Sequence, residues 1–311
     1  MSQRIIDPRI RLRHIACFLE VARLRSMAGA ADALNISQPA ATKTIQELEA
    51  LLGGQLFDRS RRRLVLTAFG EVFFRYASTS IAALRQGIDA ARGTHDTAMV
   101  RVGALPTVSA RMLPHAVQAF TRENAGITTR IITGPNGFLL SLLRTGDVDL
   151  VIGRMAEPNA MVGLSFEHLY SERVVLAVRP GHPVLNEPEF NLRLIEDYQT
   201  LMPTPDSVIR PVVERILLAH GVTRLRDEIE TVSNAFGRSY VRQTDAIWII
   251  SEGVVADDMA DGSLTTLPVD MDETLGPVGF TTRTDTPTSL ATAGLMQSVR
   301  KVAEGLRLAG H

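Results

Sequence analysis

Four side chains at helical spacing, Gln38, Thr42, Lys43 and Gln46, bring amide, hydroxyl and ammonium groups to one side of the stretch Ser37 to Gly53. Such groups near a helix N-terminus can reach base edges and phosphates, and the helix dipole adds attraction for anions. Ser37 suits an N-cap, and Pro39 falls in the first turn, where its missing N–H leaves nothing unpaired. Ala41, Ile45, Leu48 and Leu52 recur on the opposite side as a stripe for burial. Just downstream, Arg59, Arg61, Arg62 and Arg63 crowd a turn before the alternating Leu64, Val65 and Leu66. That pattern reads as a basic hairpin able to touch phosphate or the minor groove. Taken singly, an amphipathic surface helix and a solvated turn explain these residues as well; their adjacency favours a duplex-DNA face. The candidate contacts are Ser37, Gln38, Pro39, Thr42, Lys43, Gln46 and the four arginines.

Two further helices must position that face. Leu12, Ile15, Leu19 and Ala22, with Phe18 beside them, predict a first helix ending near Arg25. Ser26 can cap a short second one whose inner face is Met27, Ala30, Ala31 and Leu34, small enough for close crossing. Asn35 and Ile36 make the turn, so the order is helix, helix, tight turn, helix. From Thr67 to about Arg92 a long helix carries Phe73, Tyr76, Ala77, Leu84, Ile88 and Ala91 on a common side. At 1.5 Å per residue it spans about 39 Å, and its stripe suggests burial against a second copy.

The spacing Ser26, Ala30-Ala31, Leu34, Ser37-Gln38-Pro39-Ala40, Ile45, Leu48-Glu49, Leu52-Gly53, Leu56-Phe57, Arg59, Leu66-Thr67 and Gly70 resembles the winged helix-turn-helix of LysR-type transcriptional regulators. Two positions depart from the family pattern: Thr42, where serine is usual, and Phe69, where a small residue is common. Thr42 keeps the hydroxyl.

Composition sets outer bounds. A chain of 311 residues with 45% hydrophobic content has material for two or three domains. There is no run of 18 apolar residues, and Arg4, Asp7, Arg9, Arg11 and Arg13 interrupt the N-terminus, so no membrane span or signal peptide is expected and the default address is the cytoplasm. The single cysteine, Cys17, reads as a buried apolar filler and excludes an intrachain disulfide. The net charge of −1 hides an asymmetry: residues 1–93 carry 14 Arg+Lys against 8 Asp+Glu, +6, and the remainder 19 against 26, −7. A basic first third on a mildly acidic body suits one module that meets phosphate and one that does not.

After the hinge-like GTHDTA, residues 93–98, strands and helices alternate. Strands at 99–105, 128–134 and 148–154 enclose helices at 111–123 and 138–144. A second cycle runs through strands at 174–178, 200–203, 228–232 and 246–250, with helices at 211–220 and 236–242. Strands near 264–269 and 277–282 and a helix at 289–308 return the chain. Two α/β lobes of this kind resemble the periplasmic-binding-protein architecture of LysR-type effector domains, which extends the resemblance to the whole chain. The implied division is a winged helix-turn-helix at 1–66, a linker and dimerisation helix at 67–93 and an effector-binding domain at 94–311. Within the last, one lobe covers about 98–167 and 270–311 and the other about 168–269.

Ligands of open α/β lobes bind beyond the C-terminal ends of the strands. The loops there hold Pro106 to Ser109, Gly134 to Asn136 and Pro203 to Ser207, whose hydroxyls and N–H groups suit an anion or merely cap helices. The resemblance implies effector contacts at Thr107, Val108, Asn136, Arg154, Pro203 and Thr204. Arg154 could clamp a carboxylate bidentately or form a structural ion pair. The seven histidines, His14, His95, His115, His168, His182, His220 and His311, lack ligand spacing, and no nucleophile elbow or phosphate loop is present. No cofactor, metal site or catalytic residue is therefore assigned, and the chain is not read as an enzyme. Within the family, the segments IRLRHIACFLEVARLRS and TVSNAFGRSYVRQTDAIWIISEGVV resemble most the activators of protocatechuate catabolism, which implies a carboxymuconate-like effector. Regulators of sugar uptake and catabolism are the alternative, and a small-molecule carrier with a helical head is a remoter one. The family also implies a homotetramer of linker-helix homodimers that works through RNA polymerase.

Overall fold

The computed structural model describes residues 7–58, 64–91 and 99–309. Residues fall into two compact units, Met1–His95 with Arg144–Gly146, and Asp96–Leu143 with Asp147–His311.

In the first unit, serine caps mark the helix starts as the sequence predicts. Helices α1 (Leu12–Leu24), α2 (Met27–Ala33) and α3 (Gln38–Leu52) follow in order, Ser26 accepting the Gly29 N–H at 3.1 Å and Ser37 the Ala40 N–H at 3.3 Å. A short antiparallel hairpin, β1 (Phe57–Asp58) and β2 (Val65–Leu66), pairs Phe57 with Leu66. The next helix, α4 (Ala68–Ala91), starts where the Thr67 hydroxyl oxygen accepts the Gly70 N–H at 2.9 Å. Phe18 is fully buried at the centre, its ring 5.5 Å from Phe57 and 5.2 Å from Phe73. A ring of that size taken from water contributes about 1.5–3 kcal/mol. Cys17 is buried as read, its thiol 3.7 Å from the Ala41 carbonyl and its pKa raised by burial.

One stripe on α4 becomes two. Phe73, Phe74, Ala77 and Ile81 pack into the core of the head, whereas Phe69, Val72, Tyr76, Leu84 and Ile88 remain exposed. Single-sided periodicity merged them because the two faces adjoin around the helix.

The second unit holds two five-stranded sheets. The first lobe uses β3 (Met99–Ala104), β4 (Thr128–Thr133), β5 (Leu150–Arg154) and β6 (Leu164–Glu172), with α5 (Pro106–Ala110), α6 (Met112–Glu123) and α7 (Asn136–Thr145). The second lobe has β7 (Val174–Val178), β8 (Gln199–Met202), α8 (Arg210–Ala219), β9 (Asp227–Glu230), α9 (Asn234–Gln243), β10 (Ile247–Ser251), α10 (Glu252–Ala260) and β11 (Thr265–Thr266). The chain then returns through β12 (Gly276–Arg283) and α11 (Leu290–Ala309). Strand orders are β4-β3-β5-β12-β6 and β11-β7-β10-β8-β9, so β12 goes back into the first sheet. β3, β4 and β5 run parallel, as do β8, β9 and β10, which aligns their C-terminal edges.

The lobe borders move accordingly. The sequence puts the first crossing near residue 167, but β6 pairs with β12 as far as Glu172 opposite Gly276, so the lobes meet at Glu172 and Arg173 and again just before Gly276. Two other elements differ from expectation: Pro106 to Ala110 coils into a short helix, and Glu252 to Ala260 forms α10. No helix among the described residues is long and apolar enough to cross a membrane.

Candidate DNA face and effector cavity

The buried side of α3 is Ala41, Ile45 and Leu48, all fully covered, with Leu52 half-buried at the end. On the outer side Ser37, Gln38, Pro39, Lys43 and Gln46 are exposed and Thr42 is half-buried. Sequence reasoning missed the residue beside this face, Glu47. Its carboxylate lies 4.0 Å from Lys43 Nζ, 4.0 Å from an Arg13 nitrogen and 3.4 Å from His14 Nε2. Exposed ion pairs at such distances are worth at most about 1 kcal/mol, so Lys43 remains available to a stronger phosphate partner. The i, i+4 spacing of Lys43 and Glu47 was the signal that could have found it. The candidate contacts Arg59, Arg61, Arg62 and Arg63 lie outside the described residues.

In the second unit a cavity of about 70 Å³ opens where the C-terminal strand edges of the two lobes face each other. The first lobe contributes Thr107, Asn136 and Arg154; the second contributes Pro203, Thr204 and, unforeseen from sequence, Asn234 and Ser251. Five of the six effector candidates line it. Val108 does not: its side chain is fully buried in the first lobe's core, because α5 turns it inward beside Met112. The remaining wall is largely aliphatic, including Leu105, Ile209, Val232 and Ile250, and no aromatic ring among the described residues lines it. Trp248 is 2% exposed in the second lobe's core.

Three buried polar atoms in this lining lack a hydrogen-bond partner among the described residues: Arg154 Nη1, Asn136 Oδ1 and Thr204 Oγ1. Arg154 is 9% exposed, and its Nη2 donates to the Thr274 carbonyl on the return crossing. Asn136 Nδ2 donates to the Arg154 carbonyl at 3.1 Å, fixing its own amide. Burial lowers the Arg154 pKa, with Glu172 opposing. Buried donors and acceptors left without a partner cost roughly 1–3 kcal/mol each, a cost that a ligand in the cavity would relieve. Across the cleft Asn234 Nδ2 donates to the Pro106 carbonyl at 3.1 Å, tying the two lobes at the cavity rim.

Glu172, which sequence reasoning also missed, sits at the lobe crossing and is 6% exposed. Its Oε1 accepts the Gly253 N–H at 2.5 Å at the start of α10. Burial pushes its pKa up to about 7, against the Gly253 hydrogen bond and the attraction of Arg154. Close approach explains two glycines here: a Cβ on Gly276 would collide with the Arg154 guanidinium, and one on Gly253 with Glu172 Oε1. Among the described residues no cluster of three metal-ligating side chains occurs.

Residues 12–71 match the family described as "Bacterial regulatory helix-turn-helix protein, lysR family", and residues 93–304 match "LysR substrate binding domain". The chain is 52% identical over 301 residues to the HTH-type transcriptional regulator PcaQ of Agrobacterium fabrum, covering 96% of this chain and 97% of the relative. It is 34% identical over 302 residues to the uncharacterized HTH-type transcriptional regulator YdcI of Escherichia coli, with 96% and 97% covered. A solved full-length OxyR variant from Pseudomonas aeruginosa shares the fold with a TM-score of 0.58 at 20% identity, over 95% of this chain and 97% of that one.

Proposed function

Because the chain belongs to the LysR family of bacterial helix-turn-helix transcriptional regulators, we propose that a small carboxylate of protocatechuate breakdown, a carboxymuconate-type acid, controls its action at a promoter. The observation that carries this reading is the buried, half-satisfied Arg154 at the cavity wall, with the unpaired Thr204 hydroxyl in the same lining. A fixed cation with a free N–H is the natural partner of a carboxylate, and first-turn N–H groups of α7 offer further donors for a second acid group. A neutral sugar needs no such cation and is usually held on an aromatic platform, which this lining lacks.

On the same reading, duplex DNA meets Ser37, Gln38, Pro39, Thr42, Lys43, Gln46 and the arginines of the hairpin. Two copies join through the exposed apolar stripe of α4. Pairing of dimers into a homotetramer and contact with RNA polymerase are inferred from the family alone. Calorimetric titration of the full-length protein tests the ligand class, with 3-carboxy-cis,cis-muconate, cis,cis-muconate and protocatechuate set against glucose and galactose. Saturable heat is expected from an acid of this set and none from either sugar. Binding of a sugar without response to any acid overturns the proposal in favour of a sugar-responsive regulator.

A further inference from the structure

Glu172 ends β6, where the chain leaves the first lobe, and its Oε1 is held by the Gly253 N–H of the second lobe. Its Oε2 has no hydrogen-bond partner among the described residues. The charged groups that act on it come from three sides: Arg154 at the end of β5, Arg111 between α5 and α6, and Glu252 in the first turn of α10. Tyr170 of the same strand is half-buried, its hydroxyl kept protonated by burial and by Glu172. Glu252 also has a partner of its own, its Oε2 lying 3.6 Å from Arg173 Nε, and Arg173 is shared with Asp272 at 2.9 Å. Arg154 therefore has two roles: it lines the cavity, and its guanidinium lies against Gly276, the strand partner of Glu172, where it attracts that carboxylate without closing an ion pair.

A carboxylate that pairs with Arg154 takes up part of the positive charge that, with the Gly253 N–H and Arg111, favours an ionised Glu172. Two anions sharing one buried cation are poorly tolerated, and the cheaper outcome is that one of them takes a proton. The effector acid is the stronger of the two and stays ionised. We propose that binding of the effector carboxylate is coupled to uptake of one proton from solvent by Glu172, so that the cleft takes an acid anion and a proton together. This inference rests on the carboxylate reading of the cavity. The raised pKa of about 7 agrees with it, since the free protein then holds Glu172 part-protonated near neutrality and the complex holds it fully protonated.

The sign follows from linkage. Below about pH 7 Glu172 already carries its proton in the free protein, so affinity is flat; above it, affinity falls by up to about tenfold per pH unit. Full-length protein titrated calorimetrically with 3-carboxy-cis,cis-muconate, cis,cis-muconate and protocatechuate near ~pH 8, in two buffers of different ionisation enthalpy, counts the protons directly. The expected count approaches one proton taken up for the acid that binds. Glu172→Gln keeps an acceptor for Gly253 and is permanently neutral. It is expected to bind that acid at ~pH 8.5 as tightly as the wild type does at ~pH 6, with no remaining pH dependence. Saturable binding with no proton uptake in the wild-type protein overturns the coupling and leaves the carboxylate reading standing, as does a pH profile that survives Glu172→Gln. Silence from every acid overturns the carboxylate reading and this inference with it.

Discussion

Arg154→Ala is expected to weaken binding of the effector acid by about ten- to hundredfold, the equivalent of a charge-assisted pair worth roughly 1.5–3 kcal/mol. The size of the effect follows from burial. At 9% exposure the guanidinium has little water to fall back on, its Nη2 is committed to the Thr274 carbonyl, and Nη1 remains for a ligand. Arg154→Lys keeps the charge but loses the planar fork, so an intermediate loss is expected. Because the side chain also packs on Gly276 and braces the return crossing, thermal unfolding must be followed alongside. Equal affinity of Arg154→Ala and the wild-type protein, with both folded, places the acid elsewhere.

The second large effect concerns α4. Leu84→Glu combined with Ile88→Glu is expected to convert the proposed α4 dimer to monomers visible by sedimentation, with poor affinity for operator DNA. In the single chain these two side chains are 45% and 41% exposed, so carboxylates there leave the fold of each copy intact. Pressed into an apolar seam between copies they cost several kcal/mol. The same substitution at Phe73 or Ala77 would be uninformative, since both pack into the head. An unchanged dimer puts the association surface somewhere other than the stripe of Val72, Tyr76, Leu84 and Ile88.

How far the sequence could be read depended on whether the deciding signal was local. Ser26 and Ser37 cap helices through contacts three residues away, and their α-helices begin where the pattern says. The buried strands of the lobes read as apolar runs because both faces are covered: Leu150–Arg154 is buried throughout. β6 escaped notice because Ser165, Glu167, His168 and Ser171 interrupt its apolar positions, and it is held by pairing with β12 more than a hundred residues away, across a bulge at Val278 and Gly279. α10 escaped because its inward face includes Asp258, which is 2% exposed and looks like a loop residue until Arg238 and Arg242 are seen to bind it. In the cavity, the strand-end loops of each lobe could be named from sequence, whereas Asn234 and Ser251 came into view only when the lobes were folded against each other. Val108 failed for the converse reason, since a loop position became a helical one and turned into the core. Glu172 carried no local mark at all, as a lone glutamate before an arginine is ordinarily solvated.

The central claim is that a DNA-reading head answers to an acid bound in the effector domain. Its most direct test is quantitative footprinting of full-length protein on the DNA upstream of its own gene, across a salt series, with and without 3-carboxy-cis,cis-muconate. The account predicts protection of a defined sequence, an affinity that falls steeply with salt as phosphate contacts are screened, and a footprint whose extent or affinity changes when the acid is added. Uniform protection without sequence preference, or a specific footprint that this acid, protocatechuate and cis,cis-muconate all leave unaltered, would contradict it.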